Sequence, residues 1–318
     1  MALNLSALDS EPRLLFEVPL QPLQGKRFQP TGFPDLGAAT FSHQGTEMLL
    51  VESAQSMANR LETVCWDEAS DELIAPLQGL PYVRSTLPDG TVTSSVLEAH
   101  RINSPYIVKS DKFDVIREAV GFEANKPFNR RRLVEALLKY DPSSILHGIF
   151  LEKIGGVVRL PRVISSFIEA EGVVTASSGG VKVDRIQPSS GGDSTAYGKA
   201  KDGYGNVPFH RDEFTADKIT AYFNIDLAQV RGYGLAPEAQ TLLIALSLFK
   251  VQKFLREGLR LRTACDLEPA GDPVIKRPAT GFELPALDEL TNELPALIKA
   301  AAAHFADPAV TEVQFTEA

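Results

Sequence analysis

Residues 14–66 constrain the fold more than any other part of the chain. The Leu, Phe and Val content of residues 13–20 predicts a first strand, with Pro19 closing the run. A basic turn region follows, stiffened by Pro30, Gly32, Pro34 and Gly37 and carrying Lys26 and Arg27. A short second strand then leads into a helix over 50–64. There Leu50, Ala54, Met57, Leu61 and Val64 recur at three- and four-residue intervals and line one face. Ser53, Ser56, Asn59 and Arg60 fall on the other face. A strand, a rigid basic loop and a helix place exposed backbone N–H groups and two cations at a sheet edge. That arrangement suits a phosphate chain better than small-molecule chemistry.

Further along, residues 67–95 mix acidic and turn residues and read as a surface excursion. Helical character begins near Val96, breaks at Ser104 and Pro105, and resumes from Phe113 to Ala119. NRRRLVEALLKYD predicts a basic helix capped by Asn129. Residues 147–169 are strand-rich, divided by Gly155 and Gly156. Residues 176–206 are rich in serine and glycine and poor in core-forming side chains, which predicts a long mobile excursion bearing Lys182, Arg185, Lys199 and Lys201. A strand over 219–230, a mostly apolar helix from Pro237 to about Glu257, and an edge strand in CDLEPAG complete the pattern. The element order predicts an α+β fold, a ferredoxin-like (RRM-like) palm with large insertions. The expected division is one domain over 13–280, interrupted at about 67–217, and an acidic, helical extension over 281–318.

Net charge is −9, which argues against indiscriminate binding of duplex nucleic acid. Residues 281–318 hold seven acidic residues against Lys299 alone, so most of that excess lies in the extension. The extension either docks on a neighbour and shields a basic patch or serves solubility. Two distant cysteines, Cys65 and Cys265, give neither a disulfide framework nor metal-ligand spacing. No apolar run approaches the ~20 residues that cross a bilayer. The opening MALNLSALDSEPR lacks the basic flank and apolar centre of a secretion signal, so a cytoplasmic address is expected.

GKRFQPTGFPDLGAA and LLVESAQSMANRLE resemble the major backbone subunit of the CRISPR type I-G (formerly I-U) Cascade effector complex, a member of the repeat-associated RNA-binding superfamily. The similarity extends through RINSPYIV, LHGIFLEKIGG and RLPRVISSFIEA and covers most of residues 13–280. It implies a non-catalytic antiviral protein without cofactor that polymerises along a CRISPR RNA, reading backbone shape while guide pairing reads target DNA. It also implies partners: further copies of the chain, other type I-G effector subunits and a nuclease-helicase.

The resemblance favours Lys26, Arg27 and Phe28 as a phosphate clamp with a stacking ring, and Arg60 as a phosphate contact. From spacing alone, Phe28 serves equally as a loop anchor, and Ser53, Ser56 and Arg60 as a solvated face with Arg60 paired to Glu52. Arg130, Arg131 and Arg132 span most of a helix circumference and cannot all meet one ligand; Arg130 is retained as a candidate. Arg159 and Arg162, fixed at a strand end, are better oriented. Lys182, Arg185, Lys199 and Lys201 are candidates as a region, in a finger or thumb that orders over RNA. Enzyme readings find little support. His43, His100, His147, His210 and His304 are dispersed, and neither a phosphate loop nor a GxSxG elbow occurs. The competing class is a protein–protein scaffold that binds no nucleic acid; third is an enzyme acting on a polyanion, with His210, Asp212 and Glu213 as its only cluster.

Overall fold

Along strand β1 (Arg13–Pro22), Leu14, Phe16, Val18 and Leu20 are buried while Leu15, Glu17 and Pro19 stay half-exposed. This is the period-two signature of a sheet with one covered face. The computed structural model describes residues 3–33, 37–123, 125–154, 156, 158–182 and 207–316. Pro19 does not end β1. It sits opposite Thr220, and its carbonyl accepts from Ala270 N at 2.8 Å. The other principal strands are β2 (Thr46–Glu52), β3 (Ile164–Glu171), β4 (Lys218–Asp226) and β5 (Cys265–Pro269). They lie in the order β5–β1–β4–β3–β2, with every pairing antiparallel. Arg260–Arg262 flanks β5 and Thr40–His43 flanks β2, so CDLEPAG is not at the edge.

Helix α1 (Ala54–Thr63) follows β2, and helix α2 (Pro237–Lys253) joins β4 to β5. The helix expected to begin at Leu50 begins four residues later because β2 runs to Glu52 and Ser53 supplies the N-cap. Strand β4 likewise stops at Asp226. Its carboxylate accepts from Gln229 N at 2.9 Å and starts the helix Leu227–Gly232 inside the segment expected to be strand. The result is a mixed α+β fold in which α1 packs on β3 of the sheet and α2 packs against α1. On the other face, the Phe167 and Tyr222 rings stack at 4.9 Å.

Residues 67–95 are not a surface excursion. Leu73, Leu77, Leu80, Tyr82 and Val83 are buried. Tyr82–Thr86 is the middle strand of a small sheet, antiparallel to Val92–Ser94 and parallel to Val310–Gln314. The C-terminal helix Leu287–Ala301 buries Leu290, Leu294, Ile298 and Ala301 and packs along α2. Helix α2 therefore has apolar neighbours nearly all round, as its sequence composition requires. The basic helix Arg130–Tyr140 forms as expected, with Asn129 Oδ1 accepting from Arg132 N at 3.1 Å.

In the serine/glycine-rich region the described residues 176–182 differ from expectation. Val174–Lys182 and Val207–Thr215 form a long antiparallel hairpin, in register from Val174 opposite Thr215 to Lys182 opposite Val207. Residues 176–182 are therefore strand. At Gly179 a Cβ would stand 2.2 Å from the Phe209 carbonyl oxygen, so the close cross-strand approach admits only glycine. Arg185, Lys199 and Lys201 lie outside the described residues.

Leu294 is 0 % exposed in the contact between α2 and the C-terminal helix. Leu294→Ala is expected to lower the free energy of unfolding by ~2–5 kcal/mol, read as a shift in urea midpoint at constant m-value.

Candidate nucleic-acid interface

The motif ESAQSMANR closes on itself around Glu52, which is 1 % exposed. Ser53 Oγ accepts from Ser56 N at 3.2 Å and caps α1, while the Ser56 hydroxyl donates to Glu52. Arg60 Nε pairs with the same carboxylate at 3.1 Å, and Arg60 Nη2 donates to the Leu261 carbonyl at 2.6 Å. Arg262 approaches from the strand beside β5, pairs with Glu52 and donates to the Gln29 carbonyl at 2.9 Å. The side chains read as an outward phosphate face are thus drawn inward by one buried anion. They hold α1, β2 and the signature loop together. Burial of Glu52 is favourable because its lone pairs meet charged or hydroxyl donors.

At the loop itself, Lys26 and Arg27 are exposed. Lys26 has no polar partner among the described residues, whereas Arg27 donates to Ser178 Oγ at 3.2 Å and pairs with Glu213 at 3.4 Å. Arg27 thereby ties the loop to the base of the long hairpin. Phe28 corrects an expectation. It is 1 % exposed and its backbone bridges to Phe214, so its ring anchors the loop in the core and is closed to a nucleobase. Lys182 ends the described part of the hairpin's first strand.

Arg159 and Arg162 line a separate cleft of about 1100 Å³. Lys109, Lys153 and His100 share it, all three exposed, against Glu152 as the one lining carboxylate among the described residues. The cleft has a stiff floor. The backbone turns at Gly148 with φ +77°, and a Cβ there would meet the Leu160 carbonyl oxygen at 2.9 Å. Arg162 Nε donates to the His147 carbonyl at 3.1 Å, and Arg101 Nη1 to the Gly148 carbonyl at 3.2 Å. Arg101 itself is buried in a bidentate pair with Glu62, both N···O distances 2.7 Å. It adopts φ 52°, a conformation non-glycine residues rarely take.

Beneath this floor lies a buried polar cluster. Lys250 Nζ donates to Ser143 Oγ at 3.1 Å and meets His147 Nε2 at 3.0 Å. Burial, followed by the Lys250, Arg101 and Arg162 charges, holds His147 well below its ordinary value, so the ring stays neutral beside the lysine. Burial pushes Glu62 up to about 7 against the pull of Arg101, and Asp141 up to about 6. Burial and neighbouring Arg101 also lower Arg162.

The candidates do not converge on one surface. Arg130 lies over the Tyr233 ring at 5.6 Å, Arg131 pairs with Glu135 at 2.9 Å, and Arg132 donates to the Glu118 and Ala119 carbonyls. Three consecutive arginines thus take three directions. Sequence reasoning missed Lys109, Lys153 and His100 in the cleft. Among the described residues no three His, Cys, Asp or Glu side chains form a metal-holding group, and no helix is long and apolar enough to cross a membrane.

Comparison with known sequences bears on these features. Residues 14–175 match the sequence profile of the family described as CRISPR-associated protein GSU0053. The chain belongs to this family. The matched segment includes the signature loop, Glu52, α1 and the cleft; Arg262 and Lys250, which complete the two buried networks of this GSU0053-family chain, lie beyond it. No curated protein matches the sequence. Among solved structures, a chain of a CRISPR RNA-guided surveillance complex in a pre-nicking state is 16% identical, covering 91% of this chain and 89% of that one, with a TM-score of 0.38. A second chain of a CRISPR RNA-guided surveillance complex is 17% identical over 91% and 84%, with a TM-score of 0.37. Csc2 of Thermofilum pendens is 11% identical over 95% and 85%, with a TM-score of 0.30.

The raised Glu62 acid gives the floor a pH signature. In the native state Glu62 keeps its proton between 4.5, its ordinary value, and about 7, where the unfolded chain has released it. Its contribution is therefore complete below that window and declines as pH rises through it. Glu62→Gln does not titrate. Wild-type stability is expected to fall relative to Glu62→Gln by roughly 3 kcal/mol between pH 5 and 8 in paired urea titrations. A flat difference would refute the assignment.

Proposed function

We propose that this GSU0053-family chain is a non-catalytic RNA-binding subunit of a CRISPR effector complex, the major backbone subunit of a type I-G Cascade, which oligomerises along the guide RNA. One observation carries the reading: a chain of net charge −9 concentrates Lys109, Lys153, Arg159 and Arg162 around one cleft that has a single lining carboxylate among the described residues. Local field, not total charge, governs contact with phosphates. The long motif similarity in the signature loop and α1 supports the same reading.

The palm is proposed to be ferredoxin-like. Without β2, the chain runs strand, helix, strand, strand, helix, strand, and the spatial order fourth–first–third–second supports that assignment. The hairpin Val174–Lys182/Val207–Thr215 is the proposed finger or thumb. Lys26, Arg27, Arg159 and Arg162 are proposed backbone contacts. Ser53, Ser56 and Arg60 act indirectly by fixing the loop. Guide pairing selects target DNA, and the other effector subunits and nuclease-helicase complete the assembly.

Co-expression with a CRISPR array is expected to yield a protected RNA of discrete length on an assembly much larger than 34.6 kDa. Nucleic-acid-free monomer would sink the reading in favour of a protein scaffold. Substituting Lys109 and Lys153 by Gln is expected to weaken binding of single-stranded RNA uniformly across sequences. It should also flatten the plot of log affinity against log salt by about 0.7 for each phosphate no longer neutralised.

A further inference from the structure

We propose that Phe150 and Arg159 form a stacking platform for an unpaired nucleobase of single-stranded RNA, a site that rests on the RNA-binding reading above. The two residues face each other across the hairpin Ile149–Leu151/Val158–Leu160. Strand alternation buries Ile149, Leu151, Val158 and Leu160 and turns Phe150 and Arg159 outward. The guanidinium carbon of Arg159 lies 4.3 Å from the Phe150 ring centre. Phe150 nevertheless stays 38 % exposed, and both side chains line the cleft.

The Arg159 guanidinium lies over the Phe150 ring. It is flat and weakly hydrated, and its outward face accepts a further planar group. Lys109, Lys153 and Arg162 surround the pair and draw phosphates, with Glu152 the one opposing charge. Flat surface beside fixed cations is the chemistry that recognises a splayed base with its flanking phosphates. A cleft of about 1100 Å³ also exceeds the needs of one nucleotide and suits a segment of chain. A pair that served only to hold the hairpin would affect stability when removed, and leave RNA affinity unchanged.

The test uses the full chain, a single-stranded RNA oligonucleotide, a DNA oligonucleotide of the same sequence and an abasic oligonucleotide of equal charge. Phe150→Ala is expected to weaken RNA binding roughly 5- to 140-fold, the range that stacking of one base supplies. Binding of the abasic oligomer should be unchanged. Arg159→Lys keeps the charge but loses the plane, so it should weaken RNA binding without altering the salt slope. The chain has one tryptophan, Trp66, which is buried, so Phe150→Trp places a reporter indole in the cleft. RNA should quench that indole and the abasic oligomer should not. Wild-type RNA affinity in Phe150→Ala, an equal loss on the abasic oligomer, or quenching by DNA alone would each overturn the platform. If Gln at Lys109 and Lys153 weakens RNA binding while Phe150→Ala does not, the platform falls and the RNA reading stands. If the unsubstituted chain binds no RNA, both fall.

Discussion

The carboxylate of Glu52 holds together the part of the molecule that carries its most specific sequence. An ionised acid removed from water is costly unless its oxygens are filled by strong donors, and here three donors come from two places in the chain. Ser56 and Arg60 reach back from α1, while Arg262 arrives from beside β5 and continues to the Gln29 carbonyl. Removing one member of such a buried set leaves unpaired charge, a loss of ~3–5 kcal/mol. The loop bearing Lys26 and Arg27 is thereby fixed from below, by groups that never meet solvent fully.

A second buried acid performs the same service for the cleft. Glu62 fixes the Arg101 guanidinium, and Arg101 with Arg162 clamps the carbonyls at His147 and Gly148. The positive φ of Arg101 is a local strain that the bidentate pair offsets. In both regions acids are enclosed with structural arginines, and other cations face outward. An acidic chain can in this way present a basic surface, because most of its acidic excess lies in residues 281–318 while cations gather around the cleft.

The sequence made the strand–loop–helix opening legible, since period-two and period-3.6 patterns follow directly from which faces are covered. Asn129 as a cap and the basic helix after it were legible for the same local reason. For Arg60 the spacing left two roles open, a phosphate contact and the Glu52 pair that the fold adopts. Helical spacing shows which side chains share a face, but whether that face meets water depends on Arg262, some two hundred residues away. Phe28 misled in the same manner, because an aromatic beside two cations looks the same whether its ring is open or buried in the core. Residues 67–95 read as surface because turn residues dominate their composition, while the strand that pairs with Tyr82–Thr86 lies at 310–314. Lys109 and Lys153 escaped notice because each is an isolated lysine, and only the fold gathers them with Arg159.

The parallel pairing of Val310–Gln314 with Tyr82–Thr86 has a kinetic consequence. Its partners are separated by most of the chain, so closing that ladder carries a large entropic penalty before any contact rewards it. Lys109 depends on it, since its carbonyl accepts from Thr316 N at 3.0 Å. The signature loop carries the same burden, because Glu52 must meet Arg262 and Phe28 must meet Phe214. Both basic surfaces are therefore complete only once distant segments of the chain have joined, and a polyanion arriving during folding meets neither in its final form.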